Sequence, residues 1–119
     1  MNTIFVLLIA FQIKHFVADY PLQGRYMLGK FKETGWILPL ASHAAVHALF
    51  TFLIAAWFGV GTAILLALID FSIHFIVDRA KVSFSKGVTP QQPKFWHLLG
   101  LDQMAHHLTH YAIILVLIL

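Results

Sequence analysis

The stretch Asp70-Phe-Ser-Ile-His74-Phe-Ile-Val-Asp78 decides the fold, because it sets three ionisable residues at steps of four within an apolar segment. Residues four apart lie on one face of a helix, so these three side chains form a stripe. The surrounding segment, 62–84, is long enough to cross a membrane. A charged group at the centre of a membrane helix costs about 2.5–3.5 kcal/mol, so this stripe needs partners that offset the cost.

The composition is that of a membrane protein. Of the 119 residues, 60% are hydrophobic and 11% are charged, whereas soluble domains have about 45–50% apolar and about 25% charged residues. Apolar segments of membrane-spanning length recur along the chain, separated by loops that carry proline, glycine and charge. The sequence therefore predicts an all-α fold, an integral membrane four-helix bundle that forms a single domain (1–119) with spans at 3–20, 36–58, 62–84 and 95–119.

The basic residues orient the predicted bundle. Apart from Lys14, every lysine and arginine lies in the first or third loop or at the end of the third segment. The positive-inside rule then places both long loops in the cytoplasm and both termini outside it. The net charge of +3 is thus explained by topology, and we expect no nucleic-acid partner. At the membrane surface, anionic lipid headgroups would be attracted by Arg25, Lys30, Lys32, Arg79 and Lys81.

Histidine and aspartate recur at helical spacing in all four segments. Six His/Asp pairs lie four residues apart, and together they include all four aspartates and six of the eight histidines. Helix bundles build metal sites from carboxylate and imidazole groups that project inward at this spacing. The absence of cysteine excludes thiolate sites and iron–sulfur clusters. We predict a site for one or two ions of zinc, with iron or manganese as alternatives, whose ligands come from His15, Asp19, His43, His47, Asp70, His74, Asp78, Asp102, His106 and His110.

Helical depth divides these candidates into layers in the cytoplasmic half of the bundle. The predicted outer layer contains Asp19, His43, Asp78, and Asp102 or His106. The predicted inner layer contains His15, His47, His74 and His110, with Asp70 deepest. Because aspartates are in surplus, Asp78 or Asp19 could serve as a general base instead of a ligand. His97 and His107 lie off the stripes and are predicted not to bind metal.

The chain resembles a family of small multi-pass membrane proteins of bacteria and phages, a DUF3307-like domain of unknown function. The resemblance is carried by the run Lys14–Gln23, by His43 with His47, by the Asp70–Asp78 stripe, and by Asp102-Gln103 with His106. It implies a multi-pass protein of the bacterial inner membrane and no demonstrated activity. In chemistry alone, the pattern is similar to membrane-bound metal-dependent hydrolases and to intramembrane zinc hydrolases of the ceramidase and adiponectin-receptor type.

The leading functional prediction is a metal-dependent hydrolase that acts on a lipid or lipid-linked substrate at the cytoplasmic side. A transition-metal transporter is the main alternative, and it would need a homo-oligomer because four spans are few for alternating access. A di-iron oxygenase and a metal-binding phage or bacterial accessory protein without turnover also remain open. A polar network that only holds the helices together is the remaining structural explanation.

Overall fold

The computed structural model describes residues 2–119, which form four helices and no strand. The prediction of an all-α fold is therefore confirmed. Short 3₁₀ turns at Met27–Phe31 and Ala56–Phe58 interrupt the first two connections. The four helices are α1 (Thr3–Asp19), α2 (Ile37–Ala55), α3 (Val60–Phe84) and α4 (Pro93–Ile118).

Local sequence signals explain where the helices begin and end. The side-chain oxygen of Asn2 accepts a hydrogen bond from the backbone N–H of Ile4 at 2.9 Å and caps α1. Pro93 opens α4, where the N–H that proline lacks would have no partner within the helix. Gly59 has a φ of 135°, a conformation that side chains disfavour, and it allows the sharp turn from α2 into α3.

The helices enclose an apolar cluster at one end of the bundle and polar residues towards the other. The apolar cluster joins the start of α1, the end of α2, the start of α3 and the end of α4, so helices that follow one another in the chain run antiparallel. At the opposite end, the 3₁₀ turn at Met27–Phe31 packs against the start of α2. The apolar cluster consists of Leu7, Phe11, Ala55, Ala63, Leu66, Ile113, Ile114 and Leu117.

The distribution of polarity is inverted relative to a soluble protein. Among the described residues, twelve buried side chains are polar or charged and twelve are hydrophobic. Large apolar side chains instead cover the outside, including Phe5, Leu101 and Trp57, the last of which is 91% exposed. Two helical stretches, Ile37–Phe58 and Val60–Phe84, are long and apolar enough to cross a membrane. The other two helices fall short of this length or apolarity: α1 has 17 residues, and α4 carries polar residues along its first half.

Candidate metal centre

Three helices bring four of the predicted ligands together in what we call the histidine cluster: Asp19, His43, His47 and His74. One ligand atom from each of these residues lies within 4.8 Å of the others. The Oδ1 atom of Asp19 is 2.8 Å from His47 Nε2 and 3.3 Å from His43 Nε2. The three histidines are buried and Asp19 is half-buried. The four-residue step on α2 explains the pair His43 and His47, which face inward on consecutive turns.

The imidazoles of the histidine cluster have unused nitrogen atoms. His43 Nδ1, His47 Nδ1 and His74 Nε2 are buried and find no hydrogen-bond partner among residues 2–119. The His74 ring stacks on that of His47, with 3.9 Å between ring centroids. A buried polar atom that lacks a partner costs about 1–3 kcal/mol. A bound cation would give the free Nε2 of His74 a partner, so these residues fit a metal ion.

A second group of predicted ligands, Asp78, Asp102 and His106, also has one ligand atom per residue within 4.8 Å of the others. Its carboxylates are both paired with lysine: Lys30 Nζ lies 2.7 Å from Asp78 Oδ2, and Lys81 Nζ lies 3.5 Å from Asp102 Oδ2. Asp102 Oδ1 also lies 3.2 Å from His106 Nε2. We call these five residues the lysine-paired cluster.

The two clusters adjoin but differ in charge. His43 Nε2 lies 3.8 Å from Asp78 Oδ2, and the rings of His74 and His106 stack with 4.2 Å between centroids. With neutral imidazoles, the two carboxylates of the lysine-paired cluster are balanced by two ammonium groups. The histidine cluster holds the carboxylate of Asp19 and no lysine, so it carries an uncompensated negative charge. A divalent cation is therefore stabilised more by the histidine cluster.

Two predicted ligands, Asp70 and His110, lie apart from both clusters. Asp70 Oδ2 accepts hydrogen bonds from Lys14 Nζ at 2.9 Å and from the Thr51 hydroxyl. His110 Nε2 lies 3.2 Å from the same lysine nitrogen. The residues of the predicted inner layer therefore do not form one group, because Asp70 and His110 both contact Lys14 in a separate buried network.

His15 lies at the edge of the histidine cluster. Its Nε2 atom is 3.1 Å from Asp19 Oδ2 and 2.9 Å from Gln103 Oε1. Of the two histidines predicted not to bind metal, His97 is exposed, whereas His107 is half-buried with its ring centroid 5.0 Å from that of His15. His15 is therefore held by Gln103 through a hydrogen bond and lies beside the Asp19 carboxylate, a common arrangement for residues around metal ligands.

The assignment of Lys30 to the lipid surface was wrong. Its side chain is buried because the 3₁₀ turn at Met27–Phe31 directs it towards Asp78. Arg79, also assigned to headgroups, stacks on the Trp36 ring with its guanidinium carbon 3.7 Å from the ring centroid.

Thr51, which sequence reasoning missed, lies four residues after His47 and so continues the α2 stripe.

A polar cavity of about 130 Å³ opens between the two clusters. It has room for several water molecules or one small polar group. Asp19, His43 and His74 form one wall, and the lysine-paired cluster forms the other. Tyr20, Gln23, Leu99 and Gln103 complete the lining.

Comparison with known proteins gives a family and no activity. The sequence matches the family described as "Protein of unknown function (DUF3307)" over residues 7–119. The chain belongs to this family. No curated protein and no solved structure matches it. The expected membership in a DUF3307-like family is confirmed.

Proposed function

We propose that this chain is an integral membrane hydrolase that uses a zinc ion to cleave a lipid or lipid-linked substrate near the cytoplasmic surface. The observation that carries the proposal is the histidine cluster, in which three imidazoles and one carboxylate converge beside a polar cavity. Imidazole and carboxylate ligands without thiolate suit zinc, and iron or manganese would be accepted by the same atoms.

The inverted polarity supports a membrane location. Leu38 and Leu68 on the two longest apolar stretches are 69% and 61% exposed, which would be costly in water over so large a surface. In a bilayer these side chains would face lipid, and the buried polar groups would face one another. We propose four spans with both termini outside the cytoplasm, in the bacterial inner membrane.

The chain's own residues divide the chemistry between them. When bound, zinc supplies a Lewis acid that activates water and polarises the bond to be cleaved. Asp19 Oδ1 lies 2.8 Å from His47 Nε2 and 3.3 Å from His43 Nε2, so we assign Asp19 the role of a ligand that also orients these two imidazoles. Asp78 lies across the cavity and is held by Lys30. We assign Asp78 the role of general base, since its carboxylate faces the cavity where substrate and water would meet.

The transporter alternative receives less support from the fold. A carrier needs a polar route on both sides of its binding site. Towards the far end of the bundle, the apolar cluster that includes Phe11, Leu66 and Ile113 fills the space between all four helices. The hydrolase needs access from one side only, which the polar cavity provides.

Elemental analysis of the full chain in mild detergent tests the metal site. We expect about one zinc per chain, with loss of zinc in His47→Ala and in His74→Ala. His97→Ala is the matched control, because His97 is an exposed histidine of the same chain and should keep the metal. Protein that stays metal-free after zinc addition would overturn the proposal.

The catalytic assignment is tested by Asp78→Asn beside His74→Ala. Asp78→Asn should keep zinc and abolish lipid hydrolysis, because a base contacts water and not the ion. If Asp78→Asn loses zinc as completely as His74→Ala, Asp78 is a ligand. If the wild-type chain hydrolyses no lipid offered but moves zinc into vesicles, the transporter takes the place of the hydrolase.

A further inference from the structure

An apolar groove on the outer surface between α3 and α4 adjoins the polar cavity, because the two share lining residues. This α3–α4 groove has a volume of about 240 Å³ and is lined by Ile76, Val77, Ala80, Phe84, Leu98 and Leu101. Lys81 and Asp102 line both the groove and the cavity. The surface that would face lipid is therefore joined to the candidate metal centre by these two residues.

Lys81 is the accessible member of this junction. Its side chain is 26% exposed, whereas that of Asp102 is 3% exposed. The Nζ–Oδ2 distance of 3.5 Å between them is long for a charge-assisted hydrogen bond. The ammonium group has three donors, so it can contact a second anion while it stays beside Asp102. Phosphate is an anion that lysine commonly binds as a point charge.

A second groove shows that apolar lining alone does not define this route. The α2–α3 groove, of about 290 Å³, is lined by Ala45, Ala48, Leu49, Phe52, Ile64, Ala67, Leu68 and Phe71. It shares no lining residue with the polar cavity and carries no charged side chain. The two grooves have similar volumes, but of these two only the α3–α4 groove combines an apolar lining with a lysine, Lys81.

We propose that a phosphate-bearing lipid enters sideways between α3 and α4, with its phosphate against Lys81 and one acyl chain in the α3–α4 groove. The polar cavity of about 130 Å³ has room only for a fragment of the headgroup, so the acyl chain of the lipid must stay outside the cavity. From Ile76 to Phe84 the groove follows α3 for about 12 Å, enough for part of an acyl chain. The assignment of this lipid as the hydrolysed substrate rests on the proposed function, whereas lipid binding does not.

Photolabelling of the full chain in phosphatidylcholine nanodiscs tests the binding site. The probes are phosphatidic acid and diacylglycerol that carry the same diazirine-labelled chain, so they differ only in the phosphate. We expect phosphatidic acid to label α3 and α4 groove residues about fivefold more than diacylglycerol, the effect of one lysine near an anionic headgroup. Lys81→Gln should remove this preference and Lys81→Arg should retain it.

Tryptophan substitutions that obstruct the α3–α4 groove test the lipid site independently of Lys81, with a matched control in the α2–α3 groove. Ala80→Trp should fill the α3–α4 groove and lower its labelling, and Leu101→Trp provides a second obstruction from α4. Ala67→Trp makes the same substitution on the same helix, in the α2–α3 groove, and should leave labelling between α3 and α4 unchanged. Unchanged labelling in both obstructed variants, each with wild-type thermal stability, would overturn the proposal, as would equal labelling by the two probes in the wild type.

The labelling needs neither metal nor turnover, so it separates the two proposals. Selective labelling by a chain that binds no zinc would support the lipid site and overturn the hydrolase. Zinc binding and lipid hydrolysis without selective labelling would support the hydrolase and overturn entry between α3 and α4. Both measurements use the same purified chain.

Discussion

Replacement of Lys14 by methionine should destabilise the protein by about 3–5 kcal/mol, the usual cost of removing one partner from a buried ion pair. Lys14 Nζ lies 2.9 Å from Asp70 Oδ2 and 3.2 Å from His110 Nε2. The side chains of the pair are 1% and 3% exposed, so water cannot replace the lost ammonium. Methionine keeps most of the volume, but it leaves the Asp70 carboxylate with the Thr51 hydroxyl as its donor.

Equilibrium unfolding in detergent, with Asp70→Asn added in a double-mutant cycle, measures this effect. The double variant should be more stable than Lys14→Met by about 2 kcal/mol, because the buried charge is gone and asparagine can still accept from Thr51. Lys86→Met is the control; Lys86 is exposed, and its loss should change stability by about 0.5 kcal/mol or less. A cycle with no coupling, or a Lys14→Met variant within about 1 kcal/mol of the wild type, would refute the reasoning.

Three further predictions concern the turn, the ion count and the topology. Gly29→Ala should cost about 1–3 kcal/mol, because a Cβ there would lie 2.9 Å from Pro39 Cγ, whereas Gly24→Ala meets nothing within 4 Å and should be nearly neutral in thermal unfolding. His106→Ala should keep one zinc per chain by elemental analysis, because the lysine-paired cluster is already neutral; two ions in the wild type would contradict this. A reporter fused after Leu119 should read as non-cytoplasmic, and a cytoplasmic signal would reverse the proposed orientation.

The spacing of four residues in the sequence was enough to predict which side chains face the interior of the bundle. Asp70, His74 and Asp78 are all buried in the structure, because the period of a helix fixes which residues share a face. The same argument could not predict how the inward side chains would pair. That depends on the rotation of each helix about its axis, which placed His110 beside Lys14 and His74 beside His47.

The long-range lysine contacts were beyond sequence reasoning for a different reason. Lys30 and Asp78 are 48 residues apart, and nothing in their local sequence links them. Lysine has a long, flexible side chain whose charge can lie in water, at a lipid headgroup or against a carboxylate. The 3₁₀ turn at Met27–Phe31 decides between these outcomes, and its packing on α2 is a tertiary effect. Charge pattern alone therefore could not predict that Lys30 would pair with Asp78.

The short link at Gly59 has a consequence for biogenesis. It joins the two helical stretches that meet the length and composition expected of membrane spans, and α2 and α3 form the most extensive contact among the described helices. We expect this hairpin to insert first and to receive α1 and α4 afterwards, because α1 is shorter and the first half of α4 is more polar than these two stretches. In this proposed order, Asp19 on α1 would reach the histidines of the hairpin only at that later stage, so capture of the proposed metal would report that the newly made chain has finished assembling.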